Sequence, residues 1–143
     1  MLATGSLIQK QAAFIARYTV IPDPQERLSV LIGRKSVLAP LVESARVEAN
    51  LVRGCVSRVW LAGTFENGLC YFRMEADSPM VKGLVAVLCE LYDAATPAEV
   101  AEVEPEIFDA LGISKNLTPT RLNGLANVRR TIREFALGCI ASP

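Results

Sequence analysis

A proline placed directly after a helix-capping residue fixes where a helix can begin, and four helix starts can be read from such pairs: Asp23-Pro24, Ser78-Pro79, Thr96-Pro97 and Thr118-Pro119. The capping side chain satisfies a free amide of the first turn, and proline at the first helical position has no amide to leave unpaired. After Asp23-Pro24, the apolar residues Leu28, Leu31 and Ile32 follow at helical spacing, and Glu26 stands where it would complete a capping box. After Ser78-Pro79, Val81, Leu84, Val85, Leu88 and Tyr92 form a stripe. Val87, Cys89 and Leu91 carry apolar character around the rest of that helix, which predicts a central, buried element. Thr96-Pro97-Ala98-Glu99 is a second capping box and opens a short acidic helix. In the helix begun by Thr118-Pro119, Leu122, Leu125, Val128, Ile132 and Phe135 share one face. Arg129, Arg130 and Arg133 lie on the other side and read as a solvated face. A helix around Ile8 to Arg17 and a short one from Pro105 to Leu111, stopped by Gly112, complete the helical set.

Between Gly54 and Ala76 the period changes from helical to alternating. Val59, Trp60 and Leu61 form one β-prone run. In the second run, Cys70, Phe72, Met74 and Ala76 alternate with Tyr71, Arg73 and Glu75, the pattern of a half-buried strand. Asn67-Gly68 between the runs predicts a hairpin turn. Strands grouped together with helices on either side argue for an α+β fold, a small antiparallel β-sheet flanked by several helices, and against a βαβ repeat.

Length and composition limit what such a fold can do. The 143 residues suit one domain, 1–143, with a core of its own. Basic and acidic residues number 15 each, so the net charge is zero and the footprint of a phosphate-backbone binder is missing; no nucleic acid partner is expected. The chain has no histidine, which removes Ser-His-Asp triads, Cys-His dyads and histidine zinc sites. Any catalysis must use Cys, carboxylates, Lys, Tyr or backbone groups. The longest apolar run, Leu84 to Cys89, is far shorter than the roughly 20 residues that span a bilayer, so no membrane partner is expected. Met1 to Ser6 lacks a basic region followed by an apolar stretch, which predicts no signal peptide and a cytoplasmic location. The four cysteines, Cys55, Cys70, Cys89 and Cys139, are then expected as free thiols. No CxxC pair occurs among them, which argues against a zinc ribbon or a ferredoxin-type metal site.

Cys55 has the strongest local case for chemistry. It follows Gly54, which permits a tight bend that presents the sulfur, and Arg53 and Arg58 stand nearby. Arginine charge favours thiolate, the reactive form. The competing reading is one more small buried hydrophobe. Cys70 on the apolar strand face and Cys89 inside an apolar helix read as core filler, and Cys139 as an incidental residue of the tail.

The segment Asn50-Leu51-Val52-Arg53-Gly54-Cys55-Val56-Ser57-Arg58-Val59-Trp60 resembles the N-x-V-x-G-C-x-S-x-V-W signature of the SufE family. Val81-Lys82-Gly83-Leu84 with Leu91-Tyr92-Asp93 is similar to that family's central helix. Leu117-Thr118-Pro119-Thr120-Arg121-Leu122-Asn123-Gly124-Leu125 is similar to its L-[ST]-P-[ST]-R-x-N-G-L helix start. The likeness runs from about Leu28 to Ala136.

This resemblance implies a sulfur acceptor that activates a PLP-dependent cysteine desulfurase, SufS-like or CsdA-like, and passes sulfur toward iron–sulfur cluster assembly on a scaffold such as SufBCD. The family's acceptor cysteine falls on Cys55, and its neighbouring arginine, which would stabilise the anion, on Arg121. Arg53, Arg58, Asp77 and Lys82 are implied as partner-binding residues, although Asp77 reads equally well as a cap for the helix at Ser78-Pro79. Ser57 reads as a turn cap or a donor to sulfur, and Trp60 as a core anchor. No cofactor is implied on this chain, since the partner desulfurase carries the PLP, and the chain would be a monomer or homodimer. A persulfide needs shelter, so Cys55 is expected to rest partly covered in the free protein. Two alternatives stay open: a cluster-assembly scaffold of the IscU type, whose fold the family resembles, and delivery of sulfur to another client such as quinolinate synthase. Asp77-Ser78-Pro79-Met80-Val81-Lys82 is shorter than the family's D-S-D-A-x-I-V-K, and Asn116 stands where some relatives have histidine.

Overall fold

The computed structural model describes residues 3–141. Helix α1 (Ala3–Thr19) leads into α2 (Pro24–Gly33), and a long connection with short 3₁₀ turns at Glu43–Ala45 and Glu48–Asn50 reaches the hairpin. The strands are β1 (Val59–Glu66) and β2 (Leu69–Ala76), followed by α3 (Pro79–Tyr92), α4 (Pro97–Glu102), α5 (Ile107–Ala110) and the long α6 (Pro119–Ala141). All four of these cap–proline pairs therefore open helices. Helix α1 is longer than expected, and α5 is a single turn.

The caps themselves differ. Thr96 and Glu99 form the full reciprocal box, and the Arg121 amide donates to Thr118 Oγ1 at 3.2 Å. Asp23 instead accepts from the Gln25 amide at 3.3 Å, so the box expected with Glu26 is not formed. Neither Ser78 nor Asp77 caps α3: Ser78 makes no side-chain cap bond, and both Asp77 carboxylate oxygens are held by Arg58.

β1 and β2 pair antiparallel from Val59↔Ala76 to Glu66↔Leu69. Asn67 and Gly68, with φ of 52° and 82°, supply the positive dihedrals that a two-residue hairpin turn needs. Cys70, Phe72 and Met74 point into the core, as their alternation predicted. The outer edge of β2 is closed by the chain around it. Cys70 exchanges hydrogen bonds with Ala94 and Ala95, Phe72 donates to Asp93 Oδ1, and Met74 accepts from Leu41. Helix α3 is buried continuously from Leu84 to Tyr92 and packs against α1, α2, β2 and α6. One apolar cluster runs from Leu7 to Ala136.

The arginines of α6 do not form one solvated face. Arg129 is only 7% exposed, its guanidinium 4.6 Å from the centre of the Tyr92 ring. It donates to the carbonyls of Val100, Ala101 and Val103 and pairs with Glu104 at 3.1 Å. A helix leaves its last carbonyls without amide partners. The short α4 ends against α6, and Arg129 supplies the missing donors, aided by Arg133, which donates to Ala101. Only the tertiary placement of α4 creates that demand, and a helical wheel does not display it.

Replacing Arg129 with Met keeps much of the volume but strands those carbonyls. The Arg129→Met protein is expected to lose about 3 kcal/mol or more in urea unfolding. A second outcome concerns pH. Burial, together with the neighbouring Cys139 thiol, pushes Cys70 up to about 12, and burial pushes the fully enclosed Cys89 up as well. Unfolded thiols titrate near about 8.5. The folded state keeps protons that the unfolded state releases, so stability is full below that pH and falls as pH rises toward about 12. Denaturation midpoints measured from pH 7 to 10.5 should decline only in the alkaline half.

Candidate functional site

Residues 53–58 form a closed loop at the start of the hairpin. Its base is pinned by the Val52 amide donating to the Val59 carbonyl at 2.8 Å and by a bridge between Leu51 and Trp60. On the hairpin side, Arg58 and Asp77 are clasped by backbone and side-chain bonds of 3.1 to 3.2 Å. Gly54 turns the chain with φ of 84°. A Cβ at that position would stand 2.3 Å from Asn127 Nδ2, so glycine is required both by the dihedral and by the approach of α6.

The bend directs Cys55 toward α6. Its half-buried thiol donates to the Gly124 carbonyl at 3.5 Å. Beside it lies a cavity of about 210 Å³, walled by Val81, Leu84 and Val85 of α3 and by Leu125 and Val128 of α6. Arg121, Thr118 and Thr120 also line this cavity, together with Val56 and Ser57 of the loop. Cys55 and Arg121, far apart in the chain, thus share one apolar pocket.

The other expected site residues stand elsewhere. Arg53 is exposed and is not part of the lining. Arg58 is spent on Asp77 and lies 5.2 Å above the Trp60 ring. Lys82 pairs at 2.8 Å with Glu75, a carboxylate that burial would raise but that Lys82, the Ala76 amide and Arg46 hold below the usual range. Cys139 is more than tail: it packs on the core, near enough to Cys70 to help raise that thiol.

The electrostatic expectation for Cys55 is reversed. Burial raises its pKa above the ordinary thiol range, and the charge that opposes this is Arg130 of α6, not Arg53 or Arg58. At rest the sulfur is a neutral thiol donating a hydrogen bond. Of two residues that matter here, Asn127 was not singled out from the sequence, and Arg130 was read only as part of a solvated face. Asn127 falls on the buried side of α6 next to Val128, and a polar residue at such a position is the signal that could have found it.

The site is thus a loop that presents one thiol to an apolar cavity lined by an arginine, on a small hairpin-and-helix α+β domain. The SufE profile, an Fe-S metabolism associated domain, matches residues 12–136. This chain belongs to the SufE family. Among its relatives, an uncharacterised SufE-like protein of Synechocystis is 32% identical over 96% of this chain and 86% of its own length. Another, from Rhizobium etli, is 34% identical over 83% of this chain and 84% of its own length. The fold matches the solution structure of a hypothetical protein from Thermus thermophilus, with a TM-score of 0.74, 22% identity and coverage of 93% and 97% of the two chains.

Substituting Gly54 tests whether the bend is as constrained as the geometry requires. Gly54→Ala must relax a left-handed dihedral and displace Asn127, and it should cost about 1–2 kcal/mol in chemical denaturation.

Proposed function

We propose that this protein accepts sulfur from a PLP-dependent cysteine desulfurase onto Cys55 and passes it on for iron–sulfur cluster assembly in the cytoplasm. The observation that carries this reading is the Cys55 thiol, held on a tight loop and sharing an apolar cavity with Arg121.

The transfer needs only groups that the two proteins supply. Cys55 gives up its bond to Gly124 and passes its proton through water to the partner cysteine that departs, while its thiolate attacks the terminal sulfur of a cysteine persulfide on the partner. A new S–S bond forms at Cys55 as the partner's S–S bond breaks, and the partner cysteine leaves as the thiolate that takes up this proton. Sulfur moves without net oxidation, so the step needs no added oxidant or reductant. Arg121 at the cavity stabilises the resulting perthiolate, and α3 and α6 give it largely apolar walls. A cluster scaffold would instead need about three convergent thiolate or carboxylate ligands. Among the described residues no three such side chains gather.

Intact-mass spectrometry after incubation with active desulfurase and free cysteine should show a gain of one sulfur atom that reductant removes. Cys55→Ser should abolish the gain while leaving the fold intact. Arg121→Ala should slow loading by about tenfold, the value of one charge-assisted hydrogen bond to the anion. Loading that persists in Cys55→Ser would refute the assignment.

A further inference from the structure

Helix α6 meets the Cys55 loop through two residues one turn apart, Gly124 and Asn127. Asn127 is 7% exposed, and both ends of its amide are engaged. Nδ2 donates to the Gly54 carbonyl at 2.9 Å, and Oδ1 accepts from Arg130 Nη1 at 2.7 Å. The remaining ties of the loop act on Val52, Val59 and Arg58, at its base and on the hairpin side. At its tip, Asn127 gives Gly54 an amide N–H···O bond at 2.9 Å, whereas Gly124 receives only the weak S–H donor of Cys55 at 3.5 Å. An amide is the group this position calls for, because it must donate to a carbonyl on one side and accept from a guanidinium on the other.

We propose that Asn127 is the positioning residue of this site: its amide latches the Gly54–Cys55 segment onto α6 and holds Arg130 beside it, so that release of this one side chain sets how often Cys55 is presented to a partner. The presentation step rests on the sulfur-acceptor reading; the latch is a property of the free protein. The charged groups around Cys55 are Arg53 and Arg58 on its own segment and Arg121 and Arg130 on α6. Helix α3 offers the cavity only Val81, Leu84 and Val85, its Lys82 being bound to Glu75. With Arg58 held by Asp77, the charge that Asn127 controls is the one that opposes the effect of burial on the thiol.

The test is the rate of Cys55 alkylation by iodoacetamide across pH in the free, full-length chain, read by peptide mass mapping so that Cys139 reports separately. Asn127→Leu fills the same space without a donor, and Asn127→Ala removes the side chain. Both should alkylate at Cys55 roughly five- to thirtyfold faster at pH 8, the change in open population when a buried hydrogen bond is lost. The midpoint of the rate against pH should fall toward that of an ordinary thiol, because burial is what holds it up. Arg130→Gln, at an exposed position, should instead raise the midpoint. Thermal melts establish that each variant is folded at the labelling temperature. Wild-type rate and midpoint in both Asn127 variants would overturn the latch, as would equal acceleration at Cys139, which marks general loosening. An unchanged midpoint in Arg130→Gln would overturn the role given to Arg130. No desulfurase enters this assay, so failure of sulfur transfer and failure of the latch are read independently.

Discussion

The buried guanidinium of Arg129 is the constraint on which the arrangement of this molecule depends. It joins three elements at once: the ring of Tyr92 at the end of α3, the free carbonyls at the end of α4, and α6, on which it sits. Tyr92 adds a 2.7 Å bond from its hydroxyl to the Val103 carbonyl, closing the same junction from the other side. A charge can be kept this deep only when most of its donors find acceptors. The carbonyls that a short helix leaves unpaired provide them. The junction fixes the height and rotation of α6 against the central helix.

That rotation decides what faces the cysteine. With Arg129 turned into the α4 junction, Val128 and Ile132 enter the core, and Gly124 and Asn127 are left toward the hairpin. The loop of residues 53–58 is therefore held between a stiff two-stranded ladder and the first turns of a long helix. A thiol in this setting is quiet: burial outweighs the nearby arginine, and the sulfur rests as a donor to a carbonyl. In the free protein this sulfur is half-buried between the loop and α6.

Much of this was legible in the chain. The cap–proline pairs located four helices, and alternation with Asn67-Gly68 located the hairpin, because both signals depend on neighbours within a few residues. Cys55 could be chosen from Gly54 and its surroundings, whereas Arg121 came only from the resemblance of its segment to the family's helix start. Charge was the poorest guide. Arg53 and Arg58 are next to Cys55 in sequence, yet the loop geometry sends Arg58 to Asp77 and Trp60 and leaves Arg53 in solvent. Arg129 looked solvated because a helical wheel records periodicity and not the unpaired carbonyls of another helix. Asp77 looked like a cap because it precedes Ser78-Pro79, while the hairpin had already placed Arg58 opposite it.

The sequence alone determined where helices and strands start, which face of each is apolar, and which thiol sits on a bend, since these follow from local sterics and hydrogen bonding. Only the tertiary structure decided which cation faces the sulfur, whether the thiol is raised or lowered, and which side chain holds the loop. Those properties arise where residues some 70 positions apart, such as Gly54 and Asn127, meet in a dry, crowded space. There, desolvation and the pairing of single hydrogen bonds outweigh any charge that is merely close along the chain.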